Sequence, residues 1–148
     1  MLNNSLIEIF ERDLNKLKGE ISSYKNENNL WIIDKGISNS AGNLCLHLLG
    51  NLNHFVGTVL GNTGYVRERE KEFSTNNIPK EKLIAEIENV IEIIKRTIPK
   101  LNDDDYKKNY PVVVFQKEMT TEFLFIHLAA HLNYHLGQIN YHRRLLDN

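Results

Sequence analysis

The six histidines of this chain all fall in two stretches with helical periodicity. Four of them lie near the carboxyl end, where His127–His131 and His131–His135 are both i,i+4 pairs. Side chains with this spacing lie one turn apart on the same helix face, so two imidazoles can bind one ion. Neutral imidazole suits Zn, Ni, Cu and Fe. The spacing therefore indicates a metal site, and partly buried amphipathic histidines are the structural alternative.

The apolar residues of this helix indicate which histidines point inward. Its apolar face consists of Leu124, Leu128, Leu132, Leu136, Ile139 and Leu146. At about 100° per residue, His135 falls at the edge of this face and His131 about 40° further out. His142 lies two turns beyond His135, and His127 falls among exposed positions. We therefore expect His131 and His135 to point into a cleft between helices.

A second feature is the stretch from Gly36 to Val66, which contains no charged residue although such residues make up 25% of the chain. A long uncharged stretch is usually buried or in an interface. Its predicted core face is Leu44, Leu48, Leu52, Phe55 and Val59, and its polar stripe is Asn43, His47, Gly50, Asn51, His54 and Thr58. Buried polar groups need partners, so we expect the stripe to meet the carboxyl-terminal histidines through a shared metal. Three histidine ligands leave an open position, which is typical of catalytic rather than structural zinc sites.

Four helices must position these residues. Apolar periodicity and breakers predict helices over residues 5–24, 40–60, 79–99 and 120–146. Ser40 or Asn39 can cap the second helix, and Pro79 suits the first turn of the third. Medium loops between long helices predict an all-α four-helix bundle, and the length predicts a single domain over residues 1–148. The connection over residues 25–40 carries apolar side chains expected to tuck under the domain: Trp31, Ile32 and Ile33.

Composition excludes several protein classes. A net charge of −1 argues against a basic nucleic-acid surface, and no window approaches the roughly 20 apolar residues of a membrane span. The single cysteine excludes an internal disulfide, and the acidic amino-terminal turns do not resemble a signal peptide. We therefore expect a cytoplasmic protein with neither nucleic-acid nor membrane partners.

Residues 39–55 (NSAGNLCLHLLGNLNHF) and 127–146 (HLAAHLNYHLGQINYHRRLL) resemble the DinB/YfiT-like superfamily, above all a branch of unknown function. The HxxxHxGQI element and the GNL-HLxGN element are the specific parts of this resemblance. It implies a four-helix bundle, often dimeric, in which His47, His131 and His135 hold a divalent metal. The superfamily pattern assigns no role to His54 or His127.

Some members of that superfamily are thiol S-transferases that use bacillithiol or mycothiol, and others resemble metal-dependent hydrolases. A cation lowers the pKa of a coordinating thiol and of a bound water, so one site suits either reaction. The resemblance thus implies a divalent ion (Zn, Ni or similar), a small-molecule substrate, a homodimer and, for a transferase, a low-molecular-weight thiol. The alternative is a non-catalytic, metal-stabilised dimeric protein with a structural, interaction or stress-related role.

Three further polar residues are candidates for contacts behind the metal ligands. Asn51 is i+4 from His47 and could orient its imidazole or pair with a neighbouring helix. Gln138 is one turn from His135 and could bond to it or face solvent. His54 as a fourth ligand would favour a structural site over a catalytic one.

Two other residues have competing interpretations. Arg67 belongs to the charge cluster YVREREKEF, over residues 65–73, which could bind a substrate anion or form a solvated, mutually paired surface run. Cys45 could be a catalytic thiol, but two residues from His47 it points about 200° away around the helix. We therefore expect a small buried apolar side chain at this position.

Overall fold

The computed structural model describes residues 2–148, and the regular secondary structure of this range is helical throughout. The α-helices are α1 (Leu2–Ser22), α2 (Ala41–Leu52), α3 (Arg69–Ser74), α4 (Lys80–Thr97), α5 (Asp103–Lys107) and α6 (Thr121–Leu146). Two 3-10 helices cover Glu27–Trp31 and Ile98–Lys100, and a π-helix over Asn53–Thr58 extends α2. The all-α class is confirmed. The short helices α3 and α5 are additions to the four predicted helices.

The predicted starts of two helices are confirmed by their caps. The Ser40 side chain accepts a hydrogen bond from the amide of Asn43, and Thr120 accepts one from the amide of Phe123. Such side chains satisfy amides that have no partner inside the helix. Helix α4 begins directly after Pro79, which precedes the helix rather than lying in its first turn.

One hydrophobic core joins the long helices. Helix α1 packs against α4 and α6, α2 packs against α6 and α3, and the π-helix packs against α4. Fully buried side chains come from each long helix, among them Phe10, Leu14, Leu48, Ile87 and Leu132. The apolar stripes read from the sequence therefore face the interior of the molecule.

Helix α2 is buried in the interior of the folded protein. Every residue of Ala41–Leu52 is buried except Leu46, which is half-buried. Burial within this chain therefore accounts for the lack of charge in α2 itself, whereas the ends of the uncharged stretch, which include Ile37 and Val66, are exposed.

The connection before α2 differs from the prediction. Trp31 packs against the core and lies beside Gly42, and Ile32 is half-buried. Ile33, however, is 58% exposed, so the expectation that all three side chains tuck under the domain is wrong for this residue. The apolar run over residues 112–115 forms no strand, and of these residues only Val114 makes an isolated bridge, to Lys117.

Candidate metal centre

Three histidines from two helices form a cluster. His47 of α2 and His131 and His135 of α6 each offer a nitrogen, and these nitrogens all lie within 4.8 Å of one another. His47 is buried and the other two are half-buried. The structure thus brings together the residues selected by spacing and by resemblance, in a group that could hold a metal ion.

The contact between His47 and His131 shows how their nitrogens are used. Their Nε2 atoms lie 3.1 Å apart. Two nitrogen lone pairs at this distance repel each other unless they share a proton or face the same cation. The Nδ1 atom of His131 is buried and has no hydrogen-bond partner among the described residues. The two facing Nε2 atoms fit the ligands of a cation that binds imidazole nitrogen.

Burial keeps His131 and His135 uncharged near neutral pH. It lowers the pKa of His131 to about 4, with a further contribution from His135 and His47. Burial also lowers the pKa of His135, although the hydrogen bond from that ring to Gln138 acts in the opposite direction. Because metal ions bind the deprotonated nitrogen, both rings have lone pairs ready for a ligand role at pH 7.

Glu72 of α3 is a site residue that the sequence analysis missed. The Nδ1–H of His47 donates to Glu72 Oε1 at 3.0 Å. Arg67 donates twice to the same carboxylate, from Nε to Oε2 at 2.9 Å and from Nη2 to Oε1 at 2.8 Å. Burial alone raises the pKa of Glu72, but the hydrogen bonds from Arg67 and His47 outweigh it and leave this pKa below its ordinary value. Glu72 is therefore an ionised, buried carboxylate behind a candidate metal ligand.

The polar stripe of α2 holds α3 in place. The Asn43 side chain donates to the backbone carbonyls of Glu72 at 3.0 Å and Thr75 at 2.7 Å. Gly50 leaves room for the carboxylate, since a Cβ at this position would lie 2.6 Å from Glu72 Cδ. The stripe was predicted to meet polar partners on the last helix. It meets His131 there, but Asn43 and His47 also form hydrogen bonds with Glu72 of α3.

The candidate residues behind the ligands have different outcomes. Gln138 Oε1 lies 2.7 Å from Nδ1 of His135, so this pair is hydrogen-bonded although Gln138 is itself exposed. Asn51 does not orient His47, because Glu72 occupies its Nδ1 position and the Asn51 Oδ1 atom has no hydrogen-bond partner in residues 2–148. That interpretation of Asn51 is corrected.

Arg67 and His54 also lie near the cluster without joining it. Arg67 pairs with Glu72 of the same charge cluster, as the interpretation of a mutually paired run expects, but its side chain is only 13% exposed and is therefore not solvated. His54 lies outside the three-histidine group, and it packs edge-on against Phe55. Burial lowers the pKa of His54, and the positive charge of Arg67 lowers it further.

The remaining histidines and the cysteine have distinct surroundings. His127 is half-buried rather than exposed, and its ring stacks on that of His131 with a centroid distance of 6.0 Å. His142 is buried: its Nε2–H donates to the Ile32 carbonyl at 2.9 Å, so its Nδ1 accepts from the Tyr24 hydroxyl at 2.6 Å. Cys45 is buried as expected, and burial raises the pKa of its thiol to about 12.

Comparison with protein families adds one match. Residues 3–148 match the family described as "Protein of unknown function (DUF1572)". The chain belongs to the DUF1572 family. A search of curated proteins found no match.

This member of the DUF1572 family has a cavity of about 750 Å³ beside His135. Its walls come from the loop over residues 34–39, from Leu44 and from one side of α6, including Tyr134, Gln138, Tyr141 and Leu145.

None of the helices described for residues 2–148 is both long and apolar enough to cross a membrane.

Proposed function

We propose that this DUF1572-family protein binds a divalent metal through His47, His131 and His135 and acts as a metal-dependent enzyme on a small molecule. The observation that carries the proposal is the cluster itself, in which three imidazole nitrogens lie within 4.8 Å of one another. No fourth histidine, cysteine or carboxylate joins this group within residues 2–148. A site with three protein ligands leaves a position for water or substrate, as catalytic zinc sites do.

Thiol transfer and hydrolysis are the two reactions that suit this donor set. A bound divalent ion would stabilise a thiolate or make a water acidic. The chain contributes neutral imidazoles, a carboxylate behind His47 and an amide behind His135. Cys45 supplies no thiol, since it is buried and its pKa is raised to about 12 by burial. In the transferase reaction the thiol is therefore a separate low-molecular-weight compound.

The cavity beside His135 supports a small-molecule substrate. Its volume of about 750 Å³ is within the usual range for ligand pockets, and aromatic and aliphatic side chains supply much of its wall. Gln138 is shared by the cavity wall and the hydrogen bond to His135, so a ligand there would lie next to the cluster.

We also propose that the family belongs to the DinB/YfiT-like superfamily and that its fold is a four-helix bundle. Support comes from the contacts of the long helices, which form a closed ring. Helix α4 contacts α1, α1 contacts α6, α6 contacts α2, and the π-helix that extends α2 contacts α4. Support also comes from the placement of the metal candidates on two of these helices, as the resemblance implies.

We also propose a homodimer whose interface lies on α6. One face of α6 exposes large apolar side chains in residues 2–148: Phe123, Ile126, Tyr134, Tyr141 and Leu145. Exposed apolar side chains gathered on one helix face often mark an association site. A monomeric mass in light scattering at micromolar concentration would contradict it. The absence of nucleic-acid and membrane partners, and the cytoplasmic location, stay predictions.

The decisive experiment is the metal content of protein purified without an affinity tag, measured by plasma mass spectrometry. We expect about one divalent ion per chain in the wild type and a sharp loss in His131→Ala, with helical circular dichroism retained. His127→Ala is the matched control, because this histidine stacks on His131 but lies outside the group of three. Full occupancy in His131→Ala would contradict the proposal. So would a wild type that stays metal-free after incubation with Zn, Ni and Mn.

A non-catalytic role is the second candidate, and the position of the cluster favours it. The three histidines lie on α2 and α6, so a shared ion would link two core helices. An ion that binds only the folded chain raises its stability by about 4 kcal/mol at a free concentration 1,000-fold above Kd. A loaded protein that is stabilised in this way but inactive toward thiol-transfer and hydrolysis substrates would support this role.

A further inference from the structure

We propose that Glu72, anchored by Arg67, is a positioning residue that fixes the tautomer of His47 and so directs its Nε2 lone pair at the metal position. The inference rests on the proposed function for the identity of the ligand. The hydrogen bond on which it depends exists without any ion.

The tautomer follows from the chemistry of the carboxylate. Ionised Glu72 has acceptors only, so the Nδ1 atom of His47, 3.0 Å from Oε1, must carry the proton. Neutral imidazole has one N–H, so Nε2 of His47 is left with its lone pair. That nitrogen is the atom 3.1 Å from His131 Nε2, inside the cluster.

Arg67 makes the carboxylate necessary. Its Nη2 lies 3.4 Å from His47 Nδ1 as well as 2.8 Å from Glu72 Oε1. A guanidinium only donates, so without the carboxylate it would favour an unprotonated Nδ1. The proton of His47 would then move to Nε2, where it blocks metal binding. Glu72 both neutralises Arg67 and imposes the opposite tautomer.

The surrounding chain is built to hold this carboxylate. Asn43 fixes the backbone of α3 through the carbonyls of Glu72 and Thr75, and Gly50 leaves the space that the carboxylate fills. Glu72 is 6% exposed and takes part in three hydrogen bonds with His47 and Arg67. Carboxylates that orient metal-binding histidines in this way typically change metal affinity 10- to 100-fold when they are replaced.

The test compares Glu72→Gln with the wild type in two measurements. Competition with a chromophoric chelator should show a zinc Kd raised about 10- to 100-fold in Glu72→Gln. Nitrogen-15 NMR of the metal-free protein at about pH 8, where histidine is neutral, should show His47 protonated at Nδ1 in the wild type. In Glu72→Gln it should show the proton shifted toward Nε2.

Glu68→Gln is the matched control, because Glu68 is an exposed carboxylate one turn away that pairs with Lys71. It should leave both the zinc Kd and the His47 tautomer unchanged. Glu72→Asp serves as a second variant if Glu72→Gln does not fold. Aspartate keeps a negative charge for Arg67, but its shorter side chain does not reach His47 as well. The zinc Kd should therefore rise and the proton of His47 should shift toward Nε2, as in Glu72→Gln.

The outcomes separate this inference from the proposed function. An unchanged tautomer in the Glu72 variants overturns the inference, whatever happens to the affinity. A shifted tautomer with unchanged zinc affinity in a metal-binding wild type also overturns it. If the wild type binds no metal but the tautomer shifts, the proposed function fails, while the control of His47 by Glu72 stands.

Discussion

Replacing Gly50 with alanine tests the space that holds the Glu72 carboxylate, and it does so without changing any polar group. In most helix interiors Gly→Ala stabilises the fold by about 1 kcal/mol, because alanine has the better helix propensity. At Gly50 the new Cβ would lie 2.6 Å from Glu72 Cδ, closer than nonbonded carbon atoms approach. The carboxylate must therefore move by about an ångström to restore ordinary contact near 3.5 Å.

That movement disrupts hydrogen bonds between charged groups. Glu72 is held by His47 at 3.0 Å and by Arg67 at 2.9 and 2.8 Å, and such bonds contribute about 1.5–3 kcal/mol each. Loss of one or two of them outweighs the gain in helix propensity. We expect Gly50→Ala to lower the free energy of unfolding by about 1–3 kcal/mol.

The assay is urea unfolding of the metal-free protein, followed by circular dichroism. Gly19→Ala is the control, because Gly19 also lies inside a helix and a Cβ there would meet nothing within 4 Å. We expect Gly19→Ala to raise stability by about 0.5–1 kcal/mol. A Gly50→Ala protein stabilised as much as Gly19→Ala would refute the reasoning about this space.

Two further predictions concern groups away from the cluster. Burial raises the pKa of Cys45 to about 12, so its thiol should react with a disulfide reagent at pH 7 only as fast as the chain unfolds, and fast modification of folded protein would contradict this. Asp147 accepts hydrogen bonds from the amides of Lys25 and Asn26 and from the Asn29 side chain, and these outweigh burial and lower its pKa from 3.8. A carboxylate whose pKa is lower in the folded than in the unfolded chain stabilises the fold at a pH above the unfolded-state pKa. This stabilisation is lost as the pH falls through the folded-state pKa. Asp147→Asn should thus cost about 1 kcal/mol at pH 7, and the difference should shrink below about pH 4; a difference independent of pH in denaturant unfolding would count against it.

The histidine group could be predicted because its information is local. The i,i+4 spacing of His131 and His135 fixes their relative position on any helix, whatever the tertiary fold. The uncharged stretch, which was expected to be buried, offered both His47 and His54 as partners for this pair, and the resemblance to the DinB/YfiT-like superfamily selected His47. The caps at Ser40 and Thr120 are local signals of the same kind, and both helix starts were correct.

Glu72 could not be predicted because its role depends on distant contacts. Helix α3 has six residues, which is too short for apolar periodicity to reveal, and its sequence is rich in surface-type charges. Helix α3 is held by Asn43, which lies 29 residues before Glu72 in the chain, and the missing side chain at Gly50 leaves the space that the carboxylate occupies. The pattern that did carry a signal was the polar stripe of α2, which required partners without saying where they would come from.

The histidine cluster combines a local pair with a remote third member. His131 and His135 meet as soon as one turn of α6 forms, whereas His47 is separated from His131 by 84 positions in the chain. An ion held by the pair alone would detect only helix formation. Binding by all three nitrogens requires α2 and α6 to be docked, so metal affinity would report how far the tertiary structure has assembled. Partly folded chains would then compete poorly for a scarce ion, and loading would select the native molecules.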